Sequence, residues 1–391
     1  MIKNNKQILE GSRAIALVIK NIAPAVISAY PITPQTHIVE DLAEFKAAGE
    51  ADYEYVRAES EFAAASIVLG ASATGVRVYS ATSSQGLLLM TEVIYNIAGL
   101  RLPVVMTCAN RSVSAPINIW NDHSDVMSIR DAGWIQLFAS NNQEAVNQHI
   151  LAYRLAETLN IPVMVNVDGF ILTHSYEGVI IPDPKTIKKY LPNYNPKPST
   201  YLDPTNPVTL GGFFTPAHYM ETRETLHDDL IKSQEIIKKE YQNFKKSFGL
   251  KTEPGVIDNG LVEYQGPKNP QTIIVTMGSI AGTIRAVLKN QTKVGLLKIK
   301  TYRPFPGEEI VKIIKSVKNI AVLEKAISLG QAGPLYSDLS ATLVTVKNKN
   351  SFNLKNYIVG LGGRDITQKM ILTIIKDVPK KNNYLKFIGK I

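Results

Sequence analysis

Residues 30–36, YPITPQT, place a threonine between two prolines where an apolar run gives way to an amphipathic one. Pro34 suits the first position of a helix, because its missing N–H needs no partner there. Thr33 is then expected at the N-cap, where a hydroxyl is favoured. A helix start offers free N–H groups and partial positive charge. The turn therefore either binds a carboxylate or phosphate through Thr33, or is only a helix cap.

Two carboxylates, Glu59 and Glu61, precede the alanine-rich residues 62–75, FAAASIVLGASATG. The small side chains predict a helix that approaches its neighbours closely. A carboxylate at the start of this helix gains from the helix dipole. A buried carboxylate there could also hold a proton for a ring nitrogen of a ligand. Capping and ligand binding both remain open for this pair.

Residues 107–125, TCANRSVSAPINIWNDHSD, follow a predicted strand and concentrate polar side chains in one connection. Arg111 is a natural clamp for a carboxylate, because a guanidinium pairs with it through two hydrogen bonds. The Asp122, His123 and Asp125 run resembles a set of metal ligands, but its spacing matches no standard site. We predict loop-stabilising hydrogen bonds for this run and no metal ligands in the chain.

The composition excludes several kinds of site. A single cysteine, Cys108, rules out an internal disulfide. An iron–sulfur cluster needs about four thiolates, so any cluster must belong to another chain. Cys108 lies in an apolar stretch and is predicted to be buried. The net charge of +9 comes without a nucleic-acid recognition motif, which argues against nucleic-acid binding.

No apolar run approaches the roughly 20 residues that a membrane helix requires. The first residues, MIKNNKQILEGSRA, also lack a hydrophobic signal core. We therefore expect a cytoplasmic protein without a membrane segment.

Short apolar runs alternate with helical patterns over residues 1–180, which predicts a mostly parallel sheet covered on both faces. Residues 86–100 read as one helix, and residues 185–215 as a surface loop or arm. Residues 219–247 predict a charged helix with one apolar stripe. A second α/β unit with its own parallel sheet is predicted to begin near residue 271.

Familiar cofactor signatures are missing. Residues 166–170, NVDGF, invite comparison with the Gly-Asp-Gly signature of thiamine diphosphate enzymes, but Val167 replaces the first glycine. A proline-rich stretch also follows where a βα unit would be needed, so we reject this match. The chain has no dinucleotide fingerprint, Walker sequence or nucleophile elbow, which disfavours Rossmann dehydrogenases, NTPases and serine hydrolases.

Taken together, the ordered motifs resemble the α subunits of 2-oxoacid:ferredoxin oxidoreductases, most closely those of the pyruvate type. The resemblance spans nearly the whole chain. The motifs that carry it include YPITPQT, ESEFAAASIVLGA, ATSSQGLLLMTEVIYNIAGLRLPVVM, NRSVSAPINIWNDHSD, NVDGFILTHSYE, KIKTYRPFP, VLEKAISLGQAGPLY and GLGGRDIT.

The resemblance implies an α/β fold in two parts: a thiamine diphosphate-binding, pyrimidine-type parallel-sheet domain over residues 1–250, and a smaller transketolase C-terminal-like α/β domain over residues 251–391. It implies coenzyme A-dependent oxidative decarboxylation of pyruvate, with electrons passed to ferredoxin. A β subunit would supply Mg²⁺ and the residues that bind the diphosphate of the cofactor. The [4Fe–4S] clusters would lie on β and δ subunits, and a γ subunit would complete a heterotetramer that forms a dimer of heteromers.

The resemblance also implies roles by position. Thr33 matches a threonine that binds the oxoacid carboxylate, and Arg111 matches an arginine that contacts the substrate. The family glutamate precedes a Gly-Ala pair by nine residues, which selects Glu61 because Gly70 and Ala71 form that pair. Glu61 is therefore expected to bind N1′ of the aminopyrimidine, a bond that favours the imino tautomer. Glu59 is expected to support it or to cap the helix.

Four alternatives remain at this point. The enzyme could act on another 2-oxoacid, such as a branched-chain or aryl one, although Ile117, Ile119 and Trp120 could line a tight pocket for pyruvate. 2-Oxoglutarate is less favoured, because no second cationic residue is committed to a distal carboxylate. The chain could also be a non-catalytic scaffold. A β-type subunit of an NAD-linked oxoacid dehydrogenase is disfavoured by YPITP and GLGGRDIT.

Overall fold

The computed structural model describes residues 6–315, 317–344 and 352–390. The strands are β1 (Gln7–Glu10), β2 (Val26–Ala29), β3 (Glu54–Arg57), β4 (Val78–Thr82), β5 (Val105–Asn110), β6 (Ile135–Phe138), β7 (Val163–Asp168), β8 (Tyr176–Val179), β9 (Val256–Asp258), β10 (Val262–Gln265), β11 (Thr272–Thr276), β12 (Val294–Ile299), β13 (Thr301–Arg303), β14 (Asn319–Glu324), β15 (Asn353–Ile358) and β16 (Leu385–Phe387). The helices are α1 (Gly11–Ile22), α2 (Thr36–Ala47), α3 (Glu61–Ala73), α4 (Ser84–Leu89), α5 (Thr91–Gly99), α6 (Ser124–Ser128), α7 (Asn142–Leu159), α8 (Pro184–Tyr190), α9 (Pro216–Phe248), α10 (Ile280–Leu288), α11 (Gly307–Ile314), α12 (Pro334–Val344) and α13 (Gln368–Asp377).

The first sheet has the strand order β13-β6-β7-β5-β4-β2-β3. Its members from β2 to β7 pair in parallel, and only β13 is antiparallel to its neighbour. Every residue of β4, β5, β6 and β7 is buried, which explains why these strands read as continuous apolar runs. The predicted α/β fold with a parallel sheet covered on both faces is confirmed.

The second sheet has the order β16-β15-β14-β11-β12-β10-β9. Strands β11, β12, β14, β15 and β16 are parallel, whereas β10 runs antiparallel to β12 and β9 antiparallel to β10. The parallel core of this unit begins at Thr272, close to the predicted start near residue 271. The sheet itself extends further back in the chain than predicted, to Val256, because the two short antiparallel strands β9 and β10 are added beside β12.

The two sheets are joined directly. Strand β13 leaves the second unit and pairs with β6 at the edge of the first sheet, with Thr301 opposite Leu137. Nearby, Lys298 Nζ lies 3.0 Å from Glu144 Oε2 on α7. Burial opposes the charge of Glu144, but Lys298 and Lys300 lower the pKa of this carboxyl far below its usual value. The second unit is therefore less separate from the first than the sequence suggested.

Helix α9 covers the first unit before the chain enters the second. It buries one stripe of side chains, and Arg154 Nε on α7 bonds Glu240 Oε2 on α9 at 3.1 Å. The predicted charged helix with one apolar stripe is confirmed. We retain a boundary between residues 250 and 251 as a proposal, since α9 ends at Phe248 and β9 starts at Val256.

Two further predictions concern the helices: one helix over residues 86–100, and no helix that crosses a membrane. Residues 86–100 form two helices, α4 and α5, rather than one. Met90 separates the two helices, although its backbone (φ −78°, ψ −8°) stays in the right-handed helical region. Within the described ranges, no helix combines the length and the apolar character that crossing a bilayer requires.

Candidate active site

The strands that lead to Thr33, Glu61 and Arg111 are neighbours in the first sheet, in the order β3-β2-β4-β5. All three pairings in this row are parallel, so the carboxyl ends of the four strands share one edge. This edge is where α/β proteins bind their ligands. The predicted site residues are thus brought to one edge, although they are up to 78 residues apart in the chain.

Thr33 lies in a turn before α2 and not at its N-cap, so that expectation was wrong. The Thr33–Pro34 peptide is cis, and Gln35 N–H bonds Ile32 O at 2.9 Å, which closes a separate turn before the helix starts at Thr36. Thr33 is exposed, and among the described residues its hydroxyl has no hydrogen-bond partner. Pro34 is buried against Gly169, where a methyl group would come within 2.5 Å of Pro34 Cγ.

Arg111 holds this turn in place. Its Nη1 donates to Thr33 O at 2.9 Å, and its Nε donates to Asn118 O at 2.9 Å. The side chain is 7% exposed, and burial lowers the pKa of the guanidinium while nearby Asp125 opposes that shift. Nη2 has no partner within the described residues. Nη2 is thus a donor that could bind a carboxylate.

Glu61 is the first residue of α3 and is 8% exposed. No hydrogen bond or ion pair to its carboxylate occurs in the described part of the chain. The carboxylate lies against Gly86: a methyl group there would come 2.7 Å from Glu61 Oε1 and 2.5 Å from Thr82 Oγ1. Thr82 Oγ1 and Gln85 Nε2 are buried without partners in the described residues. The unsatisfied oxygens of Glu61 and Thr82 beside Gly86 fit a polar heteroaromatic ring.

Glu59 occupies a different environment. It is exposed, whereas Glu61 is buried. Ser60 is the N-cap of α3, and its side chain accepts a hydrogen bond from Ala63 N–H at 3.2 Å. The capping role considered for Glu59 is therefore wrong, because the serine between the two glutamates fills that position.

The Asp122, His123 and Asp125 side chains bind three different partners. Asp122 Oδ1 accepts hydrogen bonds from the backbone and hydroxyl of Ser124, and His123 Nε2 lies 2.7 Å from Asp168 Oδ1. Asp125 is bonded mainly to backbone N–H groups. The prediction that this run stabilises its loop through hydrogen bonds is confirmed, since the three side chains do not converge on one point.

Asp168, from the NVDGF segment, is bound within the protein. Besides His123, it accepts a hydrogen bond from Lys325 Nζ of the second unit at 2.7 Å. Burial opposes its charge, but Lys325 and His123 lower the pKa of Asp168 well below its usual value. This buried network fastens the second unit to the loop that contains Arg111.

The second unit also covers that loop from outside. Asn118 Nδ2 donates to Gly362 O at 3.2 Å, and Gly363 N–H donates to Asn121 O. The Trp120 ring contacts Phe170 at a centroid distance of 4.5 Å. Ile117 is 81% exposed, and Ile119 and Trp120 are also exposed. The suggestion that these three side chains line a tight pocket for pyruvate stays a prediction, because their exposure here is that of a chain without its partner subunits.

Two features of this sheet edge were not predicted from the sequence. One is Gly86, which lies against Glu61, and the other is the link that Asp125 forms between two loops. Gly86 stands in the TSSQG stretch of a quoted motif, but a glycine near a helix start is common and gave no separate signal. Asp125 was predicted to stabilise its own loop, and no link to other loops was foreseen. Its actual partners are Ser84 and Arg111, and pairings across tens of residues leave no local pattern.

Two models of known protein families match this chain. Residues 18–242 match the model described as "Pyruvate flavodoxin/ferredoxin oxidoreductase, thiamine diP-bdg", and residues 271–371 match "Pyruvate:ferredoxin oxidoreductase core domain II". The chain belongs to the pyruvate:ferredoxin oxidoreductase family. Its first unit is a thiamine diphosphate-binding domain of that family.

Similar proteins agree with this assignment. The chain is 46% identical to pyruvate synthase subunit PorA of Methanocaldococcus jannaschii, over 96% of this chain and 95% of that protein. It is 40% identical to ketoisovalerate oxidoreductase subunit VorA of Pyrococcus horikoshii, over 96% and 94%. The fold matches a 2-oxoglutarate:ferredoxin oxidoreductase from Magnetococcus marinus with a TM-score of 0.70, at 20% identity, over 96% of this chain and 66% of that one.

Replacing Gly86 with Ala should weaken thiamine diphosphate binding. The added methyl group would fill the space between Glu61 and Thr82, and overpacking of this kind costs roughly 10- to 100-fold in affinity. The measurement is the apparent dissociation constant for thiamine diphosphate of the assembled enzyme. Gly70→Ala on α3 is the matched control, because a methyl group there meets nothing within 4 Å. Equal affinity of both variants would contradict the role of Gly86.

Proposed function

We propose that this chain is the α subunit of a pyruvate:ferredoxin oxidoreductase. With its partner subunits it would convert pyruvate and coenzyme A to acetyl-CoA and CO₂ and pass two electrons to ferredoxin, reversibly as pyruvate synthase. The observation that carries the proposal is one sheet edge that holds both Glu61, a buried carboxylate, and Arg111, whose Nη2 is unbonded; within the described ranges neither group has a partner.

Thiamine diphosphate, when bound, supplies the carbon nucleophile and the electron sink on which a 2-oxoacid loses CO₂. The chain's own residues would prepare both reactants. Glu61 would bind N1′ of the pyrimidine ring and hold the proton there, with Thr82 and Gln85 as further polar neighbours. Thr33 and Arg111 would bind and orient the substrate carboxylate before it leaves as CO₂. Glu59, which is exposed, would support this region from outside.

The remaining components would come from other chains. A β subunit would hold Mg²⁺ and the diphosphate, and [4Fe–4S] clusters would lie on the β and δ subunits, since this chain has only one cysteine. A γ subunit would complete a heterotetramer, a pair of which forms the dimer of heteromers. The neighbour of known structure was determined with coenzyme A bound, which supports coenzyme A as cosubstrate. A cytoplasmic location stays a prediction.

Pyruvate is favoured as substrate because the pyruvate synthase subunit from M. jannaschii is 46% identical, whereas the ketoisovalerate oxidoreductase subunit is 40% identical. 2-Oxoisovalerate is the second candidate. The small difference in identity and the exposure of Ile117, Ile119 and Trp120 both keep it in consideration.

The test is to purify the complete complex and to measure reduction of a low-potential dye with a panel of 2-oxoacids. We expect reduction that depends on coenzyme A and thiamine diphosphate, with pyruvate preferred over 2-oxoisovalerate by roughly 10- to 200-fold in kcat/KM. A preference for 2-oxoisovalerate would select the second candidate. Absence of turnover with every 2-oxoacid would contradict the proposed function.

A further inference from the structure

Asp125 lies at the start of α6 and is completely buried. We propose that Asp125 is a positioning residue of this enzyme: its carboxylate fixes the turn at Ser84 and the backbone of Arg111 relative to each other, so that the Glu61 side and the substrate side of the site face one space. The kinetic part of this inference rests on the proposed function.

One oxygen of the carboxylate makes both connections. Asp125 Oδ2 accepts hydrogen bonds from Ser84 N–H at 3.0 Å and from Arg111 N–H at 2.9 Å. Ser84 follows β4, and Arg111 follows β5, so this oxygen joins the ends of two adjacent strands. The same two segments are joined again where Ser84 Oγ donates to Ser112 O at 2.6 Å.

The turn at Ser84 needs such support. Ser84 has φ +48°, a left-handed conformation that side chains other than glycine rarely adopt. Strained residues persist only where the surroundings hold them, and they concentrate at functional sites. Two residues further on, Gly86 lies against Glu61. A shift of the Ser84 turn would therefore move the wall of the Glu61 site.

The other carboxylate oxygen faces neutral donors. Asp125 Oδ1 accepts hydrogen bonds from Asn110 Nδ2 at 3.2 Å and Val126 N–H at 2.7 Å, and Cys108 Sγ lies 3.5 Å from Oδ2. No lysine, arginine or histidine side chain of the described residues bonds this carboxylate. A buried carboxylate that receives its hydrogen bonds only from neutral groups is a costly way to pack a core, which argues that its geometry is what matters.

The surroundings also predict a pH dependence. Burial raises the pKa of Asp125 to about 6, against the hydrogen bonds from Arg111, Ser84 and Val126, and the neighbouring Asp122 adds to the rise. The other titratable neighbours are the Cys108 thiol on β5 and the Arg111 guanidinium, whose charge interacts with Asp125 without a direct bond, whereas the His123 ring is bonded to Asp168. Protonation below that pH turns one acceptor oxygen into a donor, so the hold on Ser84 and Arg111 weakens as pH falls.

The test uses Asp125→Asn in the complete enzyme, because the amide is nearly isosteric but presents N–H groups toward N–H donors. We expect KM for pyruvate to rise roughly tenfold, since charge-assisted hydrogen bonds to Arg111 and Ser84 are lost. In the unmutated enzyme, KM for pyruvate should rise below about pH 6, and this rise should be absent in the variant. Asp122→Asn is the matched control for KM at pH 7.5, because Asp122 bonds Ser124 and Gly362 but neither Ser84 nor Arg111.

Amide hydrogen exchange gives a readout that does not need turnover. Peptides that contain Ser84 and Arg111 should lose protection in Asp125→Asn, and in the unmutated complex as pH falls from 7.5 to 5.5 after correction for intrinsic rates.

A merely structural role would lower the melting temperature and leave KM and its pH profile unchanged, and this result would overturn the proposal. If the variant does not assemble, unchanged protection of both amides in the unmutated complex at pH 5.5 would overturn it. Failure of the unmutated complex with every 2-oxoacid would instead contradict the proposed function, and the exchange measurement would still test Asp125.

Discussion

Glu61→Gln is expected to lower kcat by about 10²–10⁴-fold, the usual contribution of a positioned acid–base group. The carboxylate lies at the first residue of α3, where the helix dipole favours a negative charge. It is buried beside Gly86 and is bonded to nothing in the described residues. Glutamine fits the same space but cannot hold the N1′ proton as a carboxylate does. The measurement is steady-state turnover of the complex with saturating thiamine diphosphate and pyruvate.

The control for this substitution is Glu59→Gln, made two residues away at an exposed position. It changes the charge by the same amount, and we expect turnover close to that of the unmutated enzyme. Both variants should assemble and melt like the parent, since neither glutamate makes an ion pair within the described residues. Normal turnover in Glu61→Gln would refute its assignment, and a large loss in Glu59→Gln would transfer the role to that residue.

Arg111→Lys should raise KM for pyruvate by roughly 10- to 100-fold, because a hydrogen bond between charged groups contributes about 1.5–3 kcal/mol. Lysine keeps the positive charge but cannot bond Thr33 O, Asn118 O and a carboxylate together from one planar group. Loss of the bond to Thr33 O would also release the turn that presents the Thr33 hydroxyl. Initial rates over a range of pyruvate concentrations separate the effect on KM from that on kcat.

Arg154→Lys provides the comparison for Arg111→Lys. Arg154 lies on α7 and bonds Glu240 on α9, away from the sheet edge that carries the site. We expect its KM for pyruvate to match that of the unmutated enzyme. Affinity for thiamine diphosphate should be nearly unchanged in both variants, since Arg111 is assigned to the substrate. A normal KM in Arg111→Lys would remove the arginine from substrate binding.

Much of the fold follows from local patterns. The apolar runs at β4, β5 and β7 and the helical periodicity between them predicted a parallel sheet, because strands buried on both faces must be apolar throughout. Strands β9 and β10 were not predicted, because each has only three or four residues and so offers too short a stretch for an apolar pattern. The start of α2 was predicted at Pro34 but lies at Thr36. The bond from Gln35 N–H to Ile32 O forms a separate turn before the helix, which proline and threonine preferences do not reveal.

For the site, the sequence alone determined the types of group available and the family to which they belong. One cysteine excluded a cluster, and the resemblance to the family implied Glu61 rather than Glu59 through its spacing from Gly70. Only the tertiary structure decided the partners: Arg111 with Thr33 O, Glu61 with Gly86, and Asp125 with Ser84 and Arg111. The reason is physical. Residue preferences and periodicity report contacts within a few residues, whereas these contacts arise because four parallel strands end at one edge and bring distant loops together.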